Sequence, residues 1–187
     1  AIDSGVLVSK ILIPAVLAPG GAGLVSFLAT KLAYGITRKR ERDGFKVGQI
    51  FTSSLVSLAH GTNDAQKTMG VITLALIAAG MQPTGSGPAI WVIGACALAI
   101  AAGTYSGGWR IIKTLGRDIT DVEPAQGFAA EAATTATIQA SSHLGFALST
   151  TQVASGSVIG VGLGRKGASV RWGTAGRIAL GWLITIP

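Results

Sequence analysis

The sequence predicts an all-α integral membrane fold, a multi-span helical bundle with broken helices or re-entrant hairpins. Three observations lead there. Mean hydropathy is +0.54 over 187 residues. Only 12% of residues are charged, against about 25% in an average soluble domain. The 27 glycines lack a period of three, which excludes a collagen repeat; small residues of this kind let helices approach closely in lipid.

Each span follows from an apolar run long enough to cross, about 20 residues for a helix. Residues 6–36 form the first, with Lys10 and Lys31 toward its ends, where they can snorkel. Pro14 and Pro19-Gly20-Gly21 predict a kink or break within it. Residues 47–79 are too long for one straight span, so a break near residues 60–64 is expected. Residues 80–88 are turn-rich, and 89–105 form the next span, with Trp109 an interfacial anchor. Residues 124–142 are helix-compatible but polar, which favours burial in protein over exposure to lipid. Residues 146–163 follow, and 172–187 read as a truncated last span. Whether 124–163 makes two crossings or a re-entrant hairpin stays open at this stage.

The net charge of +7 and pI near 10.1 first suggest nucleic acid. The cations instead cluster in gaps between apolar runs, at 37–46, 108–123 and 164–171. That is the positive-inside pattern, so these are read as cytoplasmic loops and no nucleic-acid partner is expected. One cysteine, Cys96, excludes an internal disulfide and reads as packing. The chain starts at Ala1 without Met and stops inside an apolar run, which is read as a single membrane-domain fragment, 1–187, of a larger protein. No signal peptide is visible.

The most informative stretch is His60-Gly61-Thr62-Asn63-Asp64-Ala65-Gln66-Lys67. Asp64 is the only acid between Asp43 and Asp118. Ionisable groups in an apolar segment mark a solute or ion path, and glycines beside them point to a discontinuous helix. A second polar node, Ser149-Thr150-Thr151-Gln152, precedes another helical run. Hydroxyls there can cap that helix or donate to an oxyanion. Two helix N-termini facing one another would cage an anion with little formal charge. Asp64 beside an anion then needs a cation or proton between them. With Asn63 it offers the hard oxygen ligands that Na⁺ or a divalent ion takes.

Blander roles stand beside these. Asp64 could pair structurally with Lys67 three residues on, and Asn63 could cap a half-helix. His60 reads as a polar residue at the break or a proton relay, and His143 as structural. Glu131 is a buried acid or faces the cytoplasmic end. Thr134, Thr135 and Thr137 can bond back to i−4 carbonyls. Gly160, Gly162 and Gly164 invite a dinucleotide reading, but Arg165 stands where the third glycine of that fingerprint belongs. No zinc, Walker or nucleophile–base pattern is present, so neither an enzyme nor a resident metal or cofactor is expected.

The run at 60–67 closely resembles the Gly-x-Asn-Asp signature in the second repeat of the inorganic phosphate transporter (PiT) family. Residues 108–127, reading Gly-Trp-Arg-Ile-Ile-Lys-Thr-Leu-Gly-Arg-Asp-Ile-Thr and then Glu-Pro, also look like that family. Leu148-Ser149-Thr150-Thr151-Gln152 is similar to its Pro-x-Ser-Thr-Thr-His signature, with Leu148 and Gln152 in place of proline and histidine. The three motifs occur in the family's order, over roughly residues 49–187. The resemblance implies one half of an inverted-repeat transporter, the C-terminal half, with the N-terminal half as partner and a homodimer as one assembly. It implies secondary transport of inorganic phosphate coupled to H⁺ or Na⁺, with Mg²⁺ or another divalent ion accompanying phosphate in some members. By match, Asn63 and Asp64 bind the coupling cation. Ser149, Thr150, Thr151 and Gln66 contact phosphate, with His60, Thr62 and Lys67 accessory. Only one Asn-Asp motif is present. The implied location is the cell membrane, multi-pass, in a bacterial inner membrane. The alternatives are a carrier of another oxyanion such as sulfate and a non-transporting, receptor-like module.

Overall fold

A computed structural model describes residues 5, 8–36, 44–146 and 148–185, and every regular element among them is helical. Helix α1 is Ile13–Ile36, led in by a π turn at Val8–Leu12. Helix α2 is Gly44–Ala78 and α3 is Ile90–Lys113, which runs on as a π turn through Thr114–Asp118. Helices α4, Pro124–Leu144, and α5, Thr150–Gly164, precede α6, Trp172–Thr185.

The expected break in α1 is absent, and the chain stays helical through Pro19. At Pro14 the helix is irregular instead, since the π turn Val8–Leu12 runs directly into it where proline has no N–H for the regular i−4 bond. The Lys10 side chain and most of the expected loop 37–46, from residue 37 to 43, lie outside the described residues.

The expected break near residues 60–64 is also absent, because α2 is one helix of 35 residues. Glycines permit a break without requiring one. Here the polar side chains find partners on the helix itself. Thr62 donates back to the Leu58 and Ala59 carbonyls at 2.8 and 3.2 Å. His60, Asp64 and Lys67, spaced i, i+4 and i+7, share one helical face. At about 52 Å, α2 exceeds the ~30 Å hydrocarbon core and must tilt or project from it.

A third difference concerns α3, which continues through Gly107 and Gly108 instead of ending at Tyr105. Glycine pairs end helices in water, but membrane helices tolerate them. An added Cβ at Gly107 would meet nothing within 4 Å, so no tertiary contact bends the chain there. Much of the predicted loop 108–123 is therefore helical. Two segments, Ile13–Gly35 and Ile90–Asp118, are each long and apolar enough alone to cross a membrane, both with mean hydropathy 1.6. Only 11% of the second is buried.

Packing centres on α5. Its glycines 156, 160 and 164 face α1, where a Cβ on Gly160 would strike the Gly23 carbonyl and one on Gly156 the Pro19 carbonyl. These glycines serve close backbone contact in a helix interior, which removes the dinucleotide reading. Polar α4 lies buried between α2, α5 and α1, as its composition predicted. Pro124 opens it, Glu123 and Gln126 form a capping box, and Gly145 closes it at φ 68°. Fully buried Gln126 donates to the Val161 carbonyl at 2.9 Å and accepts from Glu123 N at 3.0 Å and from Arg165 at 3.3 Å. Arg165 pairs with Glu123 at 2.6 Å, and the Tyr34 hydroxyl reaches the same carboxylate at 2.7 Å. Arg171 binds Asp121 at 3.1 Å, and its N–H donates to the Ile119 carbonyl at 2.8 Å. The second and third basic gaps thus meet at one end of the bundle, together with the end of α1.

Candidate anion and cation site at Asp64

Asp64 lies midway along α2, half-buried, on the face turned to the start of α5. Four groups reach its carboxylate. His60 Nε2 stands at 3.5 Å, Lys67 Nζ at 3.3 Å and Asn63 Nδ2 at 3.5 Å. The Thr150 hydroxyl donates to it at 3.4 Å. Lys67 Nζ also donates to the Leu148 carbonyl at 3.0 Å, which ties the chain entering α5 to α2. Buried Ala59, Leu148, Val153 and Ile138 with Ala22 form the apolar wall behind this cluster.

Ser149 is the N-cap of α5, its Oγ accepting from Gln152 N at 3.4 Å. Thr150 and Gln152 are buried, whereas Thr151 is exposed. The N-terminus of α5 carries unsatisfied N–H groups and the positive end of the helix dipole. Asp64 meets that end, so its carboxylate occupies a place that would suit an anion. Of the two facing helix ends expected from sequence, only this one exists, since α2 does not open.

The structure brings Asn63, Asp64, His60 and Lys67 together with Thr150 and the Ser149 cap. It does not bring Thr62 and Gln66 to them. Each stands two residues from Asp64, about 200° around the helix, and both are exposed. The Leu148 carbonyl was not anticipated, because a backbone ligand leaves no mark in sequence. A second acid node lies farther along the α2–α4 seam. Glu131 accepts from Thr52 Oγ1 at 2.6 Å, and Gln49 also hydrogen bonds to it. Thr52 and Gln49 sit three residues apart on one face of α2, the one signal that could have named them.

Residues 33–187 match the model of the Phosphate transporter family. The chain belongs to that family. A relative in Mycobacterium tuberculosis (strain ATCC 25618 / H37Rv), named "Probable low-affinity inorganic phosphate transporter", is 57% identical over 189 residues, covering 98% of this chain and 45% of the relative. A protein of the same name in Bacillus subtilis (strain 168) is 38% identical over 186 residues, covering 95% of this chain and 55% of the relative. The chain thus spans about half the length of the curated relatives it matches. A solved structure titled "The sodium-dependent phosphate transporter" shares the fold at a TM-score of 0.66 and 20% identity, covering 98% of this chain and 57% of that one. The Phosphate transporter family and these relatives are named as transporters and not as enzymes. With the long apolar helices, they make this a membrane protein.

Proposed function

We propose that this chain is the C-terminal half of a secondary active transporter that carries inorganic phosphate across a membrane, coupled to H⁺ or Na⁺. One observation carries the reading: the Asp64 carboxylate sits at the N-terminus of α5, where phosphate would otherwise bind well. A cation or proton that neutralises Asp64 frees that helix end for an oxyanion, so the two solutes load together. Asn63 and Asp64 hold the cation. Ser149, Thr150 and Thr151 bind phosphate by hydroxyls and first-turn N–H groups. His60 and Lys67 adjust the charge on Asp64, and Lys67 also fixes the Leu148 carbonyl. Gln66 and Thr62, on the opposite face of α2, reach solute supplied from the N-terminal half, and Mg²⁺ or another divalent ion enters with phosphate.

In this reading the N-terminal half is an inverted repeat with its own Asn-Asp motif, and the assembled protein crosses a bacterial inner membrane many times, as a homodimer. The basic gaps face the cytoplasm, and the α4–α5 hairpin enters and returns to that side. At about 22 Å, α5 is shorter than the hydrocarbon core, which favours a re-entrant arm over a full crossing.

Radiolabelled phosphate uptake into proteoliposomes holding the full-length protein tests this, with Na⁺ and pH gradients imposed separately. Uptake under one gradient is expected and names the coupling ion. No uptake under either gradient, with Mg²⁺ present and insertion verified, would overturn it. Helix ends and hydroxyls alone do not discriminate tetrahedral anions, so competition by sulfate as strong as by arsenate would move the substrate to another oxyanion.

A further inference from the structure

Away from Asp64, a cleft of about 610 Å³ opens where α1 and α5 end, lined by Lys31, Tyr34, Arg165 and Lys166. Arg165 and Tyr34 are already engaged with Glu123. Among the described residues, neither Lys31 nor Lys166 has a carboxylate at ion-pair distance, and both are exposed. Counted over the described residues, Lys31, Arg165 and Lys166 against Glu123 leave a net charge of about +2 at the cleft. Lys31 Nζ lies 4.5 Å from the centre of the Phe27 ring. Phe27 in turn lines an apolar groove along the α1–α5 seam. Leu24, Ile159, Leu163 and Trp182 are its other large walls, and Gly23 and Gly160 form its floor.

Groove and cleft are neighbours along the same seam, with Phe27 of the groove under Lys31 of the cleft and Leu163 beside Gly164. The groove runs about 12 Å along α1, from Pro19 to Phe27, and with the cleft the stretch to Lys31 comes to about 18 Å, close to the ~15 Å of one leaflet's hydrocarbon. The geometry points to a bound acidic glycerophospholipid. Its phosphate lies between Lys31 and Lys166, and one acyl chain lies over the glycine floor. Opposite ends of the site thus offer what an anionic lipid offers in the same order and spacing, cation at the interface and apolar surface beneath. A zwitterionic headgroup would leave the charge of the cleft uncompensated. A free oxyanion would leave the groove unfilled.

The test is native mass spectrometry of the full-length protein in detergent, titrated with phosphatidylglycerol, with phosphatidylcholine of the same chains, and with inorganic phosphate as competitor. Phosphatidylglycerol is expected to bind preferentially and to weaken with dihexanoyl chains. The preference should fall about 25-fold in Lys31→Gln/Lys166→Gln, roughly fivefold for each cation removed at a membrane surface. It should persist in Lys31→Arg/Lys166→Arg. Equal binding of the two lipids, or a preference that survives the double glutamine variant, would overturn the proposal. Displacement by millimolar phosphate would overturn the lipid assignment in favour of a free anion, and indifference to chain length would remove the groove from the site.

Discussion

The Thr150 hydroxyl donates to the Asp64 carboxylate at 3.4 Å, although 86 residues separate the two. This contact joins the middle of one helix to the first turn of another. It puts the lone acid of a long apolar stretch where a helix dipole favours negative charge. A change at either residue therefore alters both the charge and the position of the proposed loading site.

Asp64→Asn in the full-length protein should abolish coupled uptake, by at least about 100-fold, as expected when a charged cation ligand is lost. The half-exposed ion pairs of Asp64 contribute little to stability, about 0–1 kcal/mol, so yield and melting temperature should stay near wild type. Proteoliposome uptake beside a thermal melt checks both. Uptake within twofold of wild type would exclude Asp64 from coupling.

Gly61 and Gly70 lie inside α2 with no heavy atom within 4 Å of an added Cβ. Replacing either by alanine should stabilise the protein by about 0.5–1 kcal/mol, because glycine is the poorer residue in a helix interior. Uptake should be unchanged if α2 stays continuous throughout the cycle. A raised melting temperature with reduced uptake would mean that α2 opens in another state.

Gly160 is a different case, since its added Cβ would collide with the Gly23 carbonyl and the Ser26 hydroxyl. Gly160→Ala should cost about 1–3 kcal/mol through overpacking. Gly94→Ala, with open space around it, serves as the matched control. Equal melting temperatures for the two variants would contradict the close α1–α5 approach.

Gln126→Ala removes the amide that joins Val161, Glu123 N and Arg165. A buried acceptor left without its donor costs about 1–3 kcal/mol. The variant should melt lower, while the phosphate concentration for half-maximal uptake stays unchanged. A shift in that concentration without a change in melting would place Gln126 in transport instead of packing.

Much of this architecture is legible in the sequence, for physical reasons that also mark where reading stops. Asp64 and the Ser149–Thr151 run stand out because polar groups in an apolar chain need a purpose. The polarity of α4 announced its burial, and Thr137 does bond back to the Ala133 carbonyl at 2.8 Å. Helix ends were read less well. Gly61 and the Gly107-Gly108 pair look like breaks, yet both lie inside continuous helices, because no contact forces the backbone to turn there. Partners that depend on tertiary placement, such as Thr52 for Glu131 and the Leu148 carbonyl for Lys67, have no one-dimensional signature.

The glycine seam between α1 and α5 has a mechanical consequence. Backbones in direct contact cannot slide past one another without driving carbonyls into Cα atoms. These two helices therefore travel as one rigid body in any conformational cycle. Relative motion falls to the sparsely packed α3, whose apolar span is only 11% buried.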